Sequence, residues 1–160
     1  MPHTYHGQCL CGAVSLDITS EPVAVLSCFC QHCSKGAGGT NQIASYHQLM
    51  LRSLDGANLA VKIAKFPSDS VALTIAPDSL TSYTFQDTSS GQSKEKAFCK
   101  HCGVPLWTVP ASAKGQFLLI RTAILDDGLQ FKPGNEIFTK YRPAWAKGTE
   151  GVTQWAEMRK

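Results

Sequence analysis

Alternation of apolar and polar positions with a period of two is the most regular feature of this chain. Val14, Leu16 and Ile18 alternate with Ala13, Ser15 and Asp17, which predicts a strand with one buried face. The same reading applies to Leu59 to Phe66, to Val71, Leu73 and Ile75, and to Leu80 to Phe85, where Tyr83 and Phe85 fall on one side. Leu106-Trp107-Thr108-Val109 and Phe117-Leu118-Leu119-Ile120-Arg121 read as further strands, the second apolar enough to be central. Turn residues separate them at Ala76-Pro77-Asp78, Ser89-Ser90-Gly91, Val109-Pro110, Asp126-Asp127-Gly128 and Lys132-Pro133-Gly134. No helical stripe is sustained. Ser45 to Leu54 is a short helix or a loop, and Val152 to Met158 a terminal turn. The pattern predicts an all-β chain with few short helices.

Composition narrows the class. With 160 residues, 43% hydrophobic and 17% charged, the chain suits one compact domain able to bury a core, read as 1–160. A formal charge of +3, from 15 basic and 12 acidic residues without a basic run, argues against a nucleic-acid footprint. No apolar stretch approaches the roughly 18 residues that cross a bilayer. The opening Met-Pro-His-Thr-Tyr-His lacks the charged and apolar regions of a signal peptide, so a cytoplasmic location is expected.

The chemistry is carried by cysteine. All seven fall in three groups, Cys9-Leu10-Cys11, Cys28-Phe29-Cys30-Gln31-His32-Cys33 and Cys99-Lys100-His101-Cys102. Four thiolates close a tetrahedral structural metal site, whereas three leave a position for water or substrate. The middle group is the natural three-ligand set, because one short loop can aim all its thiols at a single ion. The outer pairs each end in glycine, Gly12 and Gly103, where a positive φ turns backbone amides toward sulfur. Cys9, Cys11, Cys99 and Cys102 then form a four-thiolate site tying the start of the chain to its later half. Zinc is the expected metal in both sites, with iron as the alternative. Disulfides fit poorly, since an odd count leaves one thiol over. His32 and His101 sit between ligand cysteines and are read as supporting or solvated. His3, His6 and His47 are read as surface residues, and Trp107 and Trp145 as core or interface aromatics.

Gly7-x-Cys9-x-Cys11-Gly12, Cys28-x-Cys30-x-x-Cys33 and Phe98-Cys99-x-x-Cys102-Gly103-x-Pro105-Leu106 together resemble the glutathione-dependent formaldehyde-activating enzyme family, which shares a domain with centromere protein V. Leu125-Asp126-Asp127-Gly128 and Arg142-Pro143-Ala144-Trp145 are similar to the family's closing segment. The resemblance implies an Mss4-like β-tent, several small antiparallel sheets around zinc. It also implies Cys9, Cys11, Cys99 and Cys102 as structural-zinc ligands and Cys28, Cys30 and Cys33 as catalytic-zinc ligands. Residues 44–64 look longer than the family's usual passage and are read as a possible insertion.

The implied activity is that of a zinc-dependent carbon–sulfur lyase of the S-(hydroxymethyl)glutathione synthase type. Its partners would be glutathione as co-substrate and formaldehyde or a larger small-molecule electrophile, with no nucleic acid and no membrane. Lys35 and the loop Gly36-Ala37-Gly38-Gly39-Thr40-Asn41 follow Cys33. Lys35, Gly38 and Gly39 are the candidate glutathione-binding residues, supplying an ammonium and backbone N–H groups. The other reading is a turn chosen for backbone conformation, with Lys35 solvated. Arg121, Lys140 and Arg142 are further bases for glutathione's two carboxylates, although the default for each is a solvated charge. A non-catalytic zinc-binding interaction module of Mss4-like fold is the alternative. It needs only the four-cysteine site and leaves the middle three thiols unexplained.

Overall fold

Alternating burial along Val14–Ile18 shows how the chain builds its core: Val14, Leu16 and Ile18 are buried, and Asp17 between them faces out. A computed structural model describes residues 4–36 and 61–158. It divides into two compact units, one of Met1–Val25 and Ile63–Lys132, the other of Leu26–Lys62 and Pro133–Lys160.

In the first unit, β1 (Tyr5–Gln8), β2 (Val14–Ile18) and β5 (Val71–Ile75) form a three-stranded antiparallel sheet in the order β1-β2-β5. A second antiparallel sheet runs β4-β9-β8-β7-β6, from β4 (Val61–Pro67), β6 (Leu80–Phe85), β7 (Lys94–Cys99), β8 (Pro105–Pro110) and β9 (Phe117–Arg121). One apolar core joins the two sheets, with Val14, Leu16 and Ile18 in one cluster with Ala64, Phe66, Leu106, Trp107 and Ile120. Burial of such side chains is the main favourable term in folding. Cys9 and Cys99 belong to the same cluster. Tyr5 packs its ring on Phe66 and Phe131 and donates a hydrogen bond to Glu21, which pushes its phenol up to about 12.

The second unit is small. β3 (Ala24–Cys28) enters it at Leu26, where it pairs in parallel with β10 (Asn135–Ile137), and β10 pairs in parallel with the two-residue β11 (Thr153–Gln154). The one α-helix among the described residues, α1 (Gln31–Gly36), follows directly. Phe138 closes β10 with a left-handed backbone, φ 58°. That conformation is costly for an aromatic residue, and it is held by Phe138 N–H to Glu157 O at 3.1 Å and Thr139 N–H to Trp155 O at 3.0 Å.

The expected strands form, with departures at the edges. Leu73 and Ile75 remain 39% exposed because β5 is the outer strand of its sheet, and Tyr83 is exposed because β6 is the outer strand of the other. Trp107 is buried as expected for a core aromatic, whereas Trp145 is 62% exposed. Val152 to Met158 is not a simple turn: Thr153 and Gln154 form β11. The expectation for Ser45 to Leu54, the residues Leu59 and Ala60, and His3 and His47 lie outside the described residues.

Candidate metal centres

Two clusters of thiols assemble, one in each unit. In the first unit, β1 runs into Cys9, whose N–H bonds to Val14 O at 2.9 Å, and Gly12 closes the turn at φ 73° with its N–H on Cys9 O at 3.0 Å. The second knuckle repeats the device. β7 ends in Cys99, whose N–H bonds to Val104 O at 3.0 Å, and Gly103 turns at φ 72° with its N–H on Cys99 O at 2.9 Å. A register shift after Ala97, where Phe98 pairs with Pro105, lets the β7–β8 connection swing its thiols out of the ladder. These turns place the Cys9, Cys11, Cys99 and Cys102 sulfurs within 4.8 Å of one another.

The arrangement fits a metal by its donor set. A metal ion held tetrahedrally by thiolates about 2.3 Å away spaces its sulfurs about 3.8 Å apart. Cys9 Sγ lies 3.5 Å from Cys11 Sγ, which lies 3.6 Å from Cys99 Sγ, and every cysteine is a free thiol. The Val14 N–H donates to Cys9 Sγ at 3.4 Å. Such donors decide the titration. Burial pushes the Cys9 thiol up, but the N–H of Val14 and the thiols of Cys11 and Cys99 outweigh it and the net is downward. Burial likewise opposes, and the N–H groups of Val104 and Cys11 with the Cys99 thiol overcome it, so that Cys102 falls to about 6. Cys11 goes the other way: the Ala13 N–H lowers it, yet the thiols of Cys9, Cys99 and Cys102 raise it to about 11. A cluster that must lose several protons in turn holds the later ones harder.

The residues between Cys99 and Cys102 point away from the sulfurs. Lys100 Nζ lies 2.6 Å from both Asp78 carboxylate oxygens, and His101 Nε2 lies 3.0 Å from the buried Ser79 hydroxyl. His101 therefore braces the knuckle against the β5–β6 turn, the supporting role its position implies. His6 is exposed beside Asp17, as a surface residue should be.

In the second unit, Cys28, Cys30 and Cys33 bring their sulfurs within 4.8 Å of one another. Cys28 is the last residue of β3, beside Ile137 of β10, and the Phe29 N–H bonds to Ile137 O at 3.1 Å. Cys33 sits on α1, where its N–H donates to Cys30 Sγ at 3.4 Å. Cys28 is buried, while Cys30 and Cys33 are partly exposed. Hydrogen bonds that the Cys28 thiol donates to Cys30 and Cys33, then burial, push Cys28 far up. Cys28 pulls Cys30 down, but the Cys33 thiol and burial prevail and the net is upward.

Beneath this triad lies a network that sequence reading did not find. Glu136, in register with Ser27 of β3, is fully buried. Its carboxylate accepts from Arg142 Nη1 at 2.8 Å, Thr149 N–H at 2.8 Å and Thr149 Oγ1 at 2.7 Å. Arg142 also lies over the Phe29 ring, 5.7 Å from its centroid. Arg142 is therefore not a solvated charge but the counter-ion of a buried acid. Lys140 pairs with Glu157 at the surface, and Arg121 is buried rather than solvated. Lys35 is exposed at the end of α1, and Gly38 and Gly39 lie outside the described residues.

The model of the family described as glutathione-dependent formaldehyde-activating enzyme (GFA) matches residues 4–65 and 51–141. The chain belongs to this family. Both cysteine clusters of the GFA chain fall inside the matched residues. The two matched segments overlap at 51–65, within and beside the stretch read as an insertion. No curated protein matches the GFA chain. Among solved structures it is similar to a crystal structure of a Rhodobacter sphaeroides structural-genomics target, at 15% identity and a TM-score of 0.49, covering 94% of this chain and 98% of that one.

Proposed function

We propose that this protein is a zinc-dependent carbon–sulfur lyase acting on glutathione adducts, of the S-(hydroxymethyl)glutathione synthase type, in the cytoplasm. Its partners are glutathione and formaldehyde or a larger electrophile, without nucleic acid or membrane. The whole chain is read as one GFA domain with 44–64 inserted. One observation carries the reading: three free thiols converge in the second unit apart from the complete set of four in the first.

Four thiolates saturate a tetrahedral ion, so Cys9, Cys11, Cys99 and Cys102 suit a structural zinc. Cys28, Cys30 and Cys33 leave one position, and zinc held there would supply the Lewis acidity that keeps a thiol ionised at neutral pH. The chain's own residues set the surroundings. Buried Cys28 keeps water from one side of the triad, partly exposed Cys30 and Cys33 leave the other open, and the Cys33 N–H steadies Cys30. Exposed Lys35 is available to offset the thiolates' negative charge. In the reaction the glutathione sulfur bonds to the carbonyl carbon, and the π pair moves to oxygen. That oxygen takes up one proton for the one the thiol lost, so no oxidant is needed. The reverse direction breaks the carbon–sulfur bond.

The test is metal content per chain, with the spectrum of cobalt-substituted protein recorded before and after glutathione. Two metals and a thiolate band that shifts on glutathione addition are expected, with aldehyde-dependent adduct formation lost in Cys30→Ser. One metal, or two with no response to glutathione, would move the protein to a non-catalytic zinc module.

A further inference from the structure

Two side chains among the described residues bury polar atoms without a hydrogen-bond partner: the Ser68 hydroxyl, and Arg121 through Nε, Nη1 and Nη2 together. The hydroxyl is neutral and tolerable. A guanidinium is always ionised and carries five N–H donors, so leaving it dry and unanswered is among the costliest arrangements a protein can hold. Arg121 is 4% exposed. The same chain shows how it meets that cost elsewhere, since Arg142 is paired with the buried Glu136.

Among the described residues no carboxylate forms an ion pair or hydrogen bond with Arg121. Its partner across the sheet is Ile63 of β4, itself buried, and both lie on the face opposite Ala64 and Ile120, the neighbouring pair, which belong to the apolar core. The backbone that carries it is fixed. Leu125 N–H bonds to Thr122 O at 3.0 Å, Asp126 N–H bonds to His6 O at 2.9 Å, and Gly7 bridges to Leu125. A Cβ on Gly128 would fall 1.5 Å from the Thr122 carbonyl oxygen, so only glycine permits this packing. The guanidinium next to this fixed backbone is enclosed with its fork uncompensated, so an anion admitted there would meet donors already stripped of water.

We propose that Arg121 is a recognition site for the carboxylate of a small-molecule ligand. A single guanidinium matches a monoanion in charge and a planar carboxylate in shape, through two parallel N–H···O bonds. A phosphate dianion would call for a second cation. Free small acids and the carboxylates of a larger molecule such as glutathione share this chemistry.

The experiment uses the full metal-loaded chain, with acetate, succinate, glutathione and glutathione diethyl ester as probes, read by Tm and calorimetric Kd. Glutathione binding through sulfur is common to acid and diester, so their difference isolates the carboxylates. A carboxylate probe should raise the wild-type Tm with concentration. Arg121→Gln and Arg121→Met should lose that shift, with affinity down about tenfold to a hundredfold. Arg121→Lys, which keeps the charge without the fork, should fall between. Without ligand, Arg121→Met should melt no lower than wild type, because it removes an uncompensated charge. A response to acetate identifies a free small acid, and a response to glutathione but neither to acetate nor to the diester identifies a larger molecule; both support the site. The proposal is overturned if no carboxylate shifts wild-type Tm, if the shift survives in Arg121→Gln, or if Arg121→Met fails to fold, which would show a structural partner.

Discussion

The two thiol clusters differ in what they join. The four-thiol cluster spans the chain, with Cys11 and Cys99 separated by 88 positions, and two of its members lie in the apolar core. The three-thiol cluster is confined to six residues at the end of one strand and the start of one short helix. A cross-link stabilises more the longer the loop it closes, rising with the logarithm of loop length. By the relation used for disulfides, a loop of this length is worth about 4–5 kcal/mol, against about 2 kcal/mol for a loop of a few residues. This difference supports the proposed division, in which a metal in the first cluster would act mainly on the fold and one in the second mainly on chemistry.

The sharpest way to break this comparison is a matched pair of variants. Cys99→Ser should cost about 4 kcal/mol or more in denaturant unfolding, since it opens the long loop and leaves a hydroxyl in the core. Cys30→Ser should cost about 2 kcal/mol or less and remove one metal per chain. Equal losses in both would end the division of labour. The next effect belongs to the second unit, which is braced by a carboxylate instead of a long metal clasp. Arg142→Leu removes the cation paired with buried Glu136, which should destabilise by about 3 kcal/mol. Restored stability in the Arg142→Leu, Glu136→Leu double variant would identify the ion pair as the cause.

Acid should separate the clusters in solution. Metal binding needs deprotonated thiols, so protons compete for each site. In the metal-free protein Cys28 is pushed far up and Cys30 is raised, while Cys9 is lowered, Cys102 is lowered to about 6 and Cys11 is raised to about 11. Falling pH favours the protonated form, so the triad has more protons to displace and loses affinity first. Dialysis against a chelator from pH 8 toward pH 6 should remove one metal equivalent, with activity, before the second. Simultaneous release of both would contradict the difference in thiol environments.

What the sequence discloses follows from how local each signal is. The four-plus-three partition of thiols is visible because cysteine spacing is covalent and metal valence is a small number. β2 is visible because one of its faces is buried along its whole length. β7 carries Lys94, Glu95 and Lys96 and shows no strand pattern, yet it sits between β6 and β8, where ladder hydrogen bonds on both edges override propensity. The apolar run of β3 lacks alternation, and α1 is too short for a helical period. Glu136, Arg142 and Thr149 form no motif, because parallel pairing of β10 with β3 and a return of the chain bring them together. The solvated default for Arg121 failed for the same reason: burial is set by packing that no single strand records.

The smallest expected effect concerns how the first unit is held apart from its metal. Tyr5 of β1 keeps its proton to about pH 12 because that proton bonds to Glu21, with burial and the nearby charge adding to the effect. A phenol whose folded pKa lies above its ordinary value of 10 contributes stability that is complete below pH 10. That contribution is lost as pH rises from about 10 to about 12. Tyr5→Phe retains the ring against Phe66 and Phe131 and removes only the hydroxyl, so below pH 10 it should cost no more than about 1 kcal/mol. The gap between wild type and variant should then close over the next two pH units, and absorbance titration should show one late-ionising tyrosine that the variant lacks. A gap that stays constant to pH 12 would mean that the hydroxyl acts by packing alone. The side-chain brace on β1 would then be apolar, alongside the backbone bonds from Asp126 N–H to His6 O and between Gly7 and Leu125.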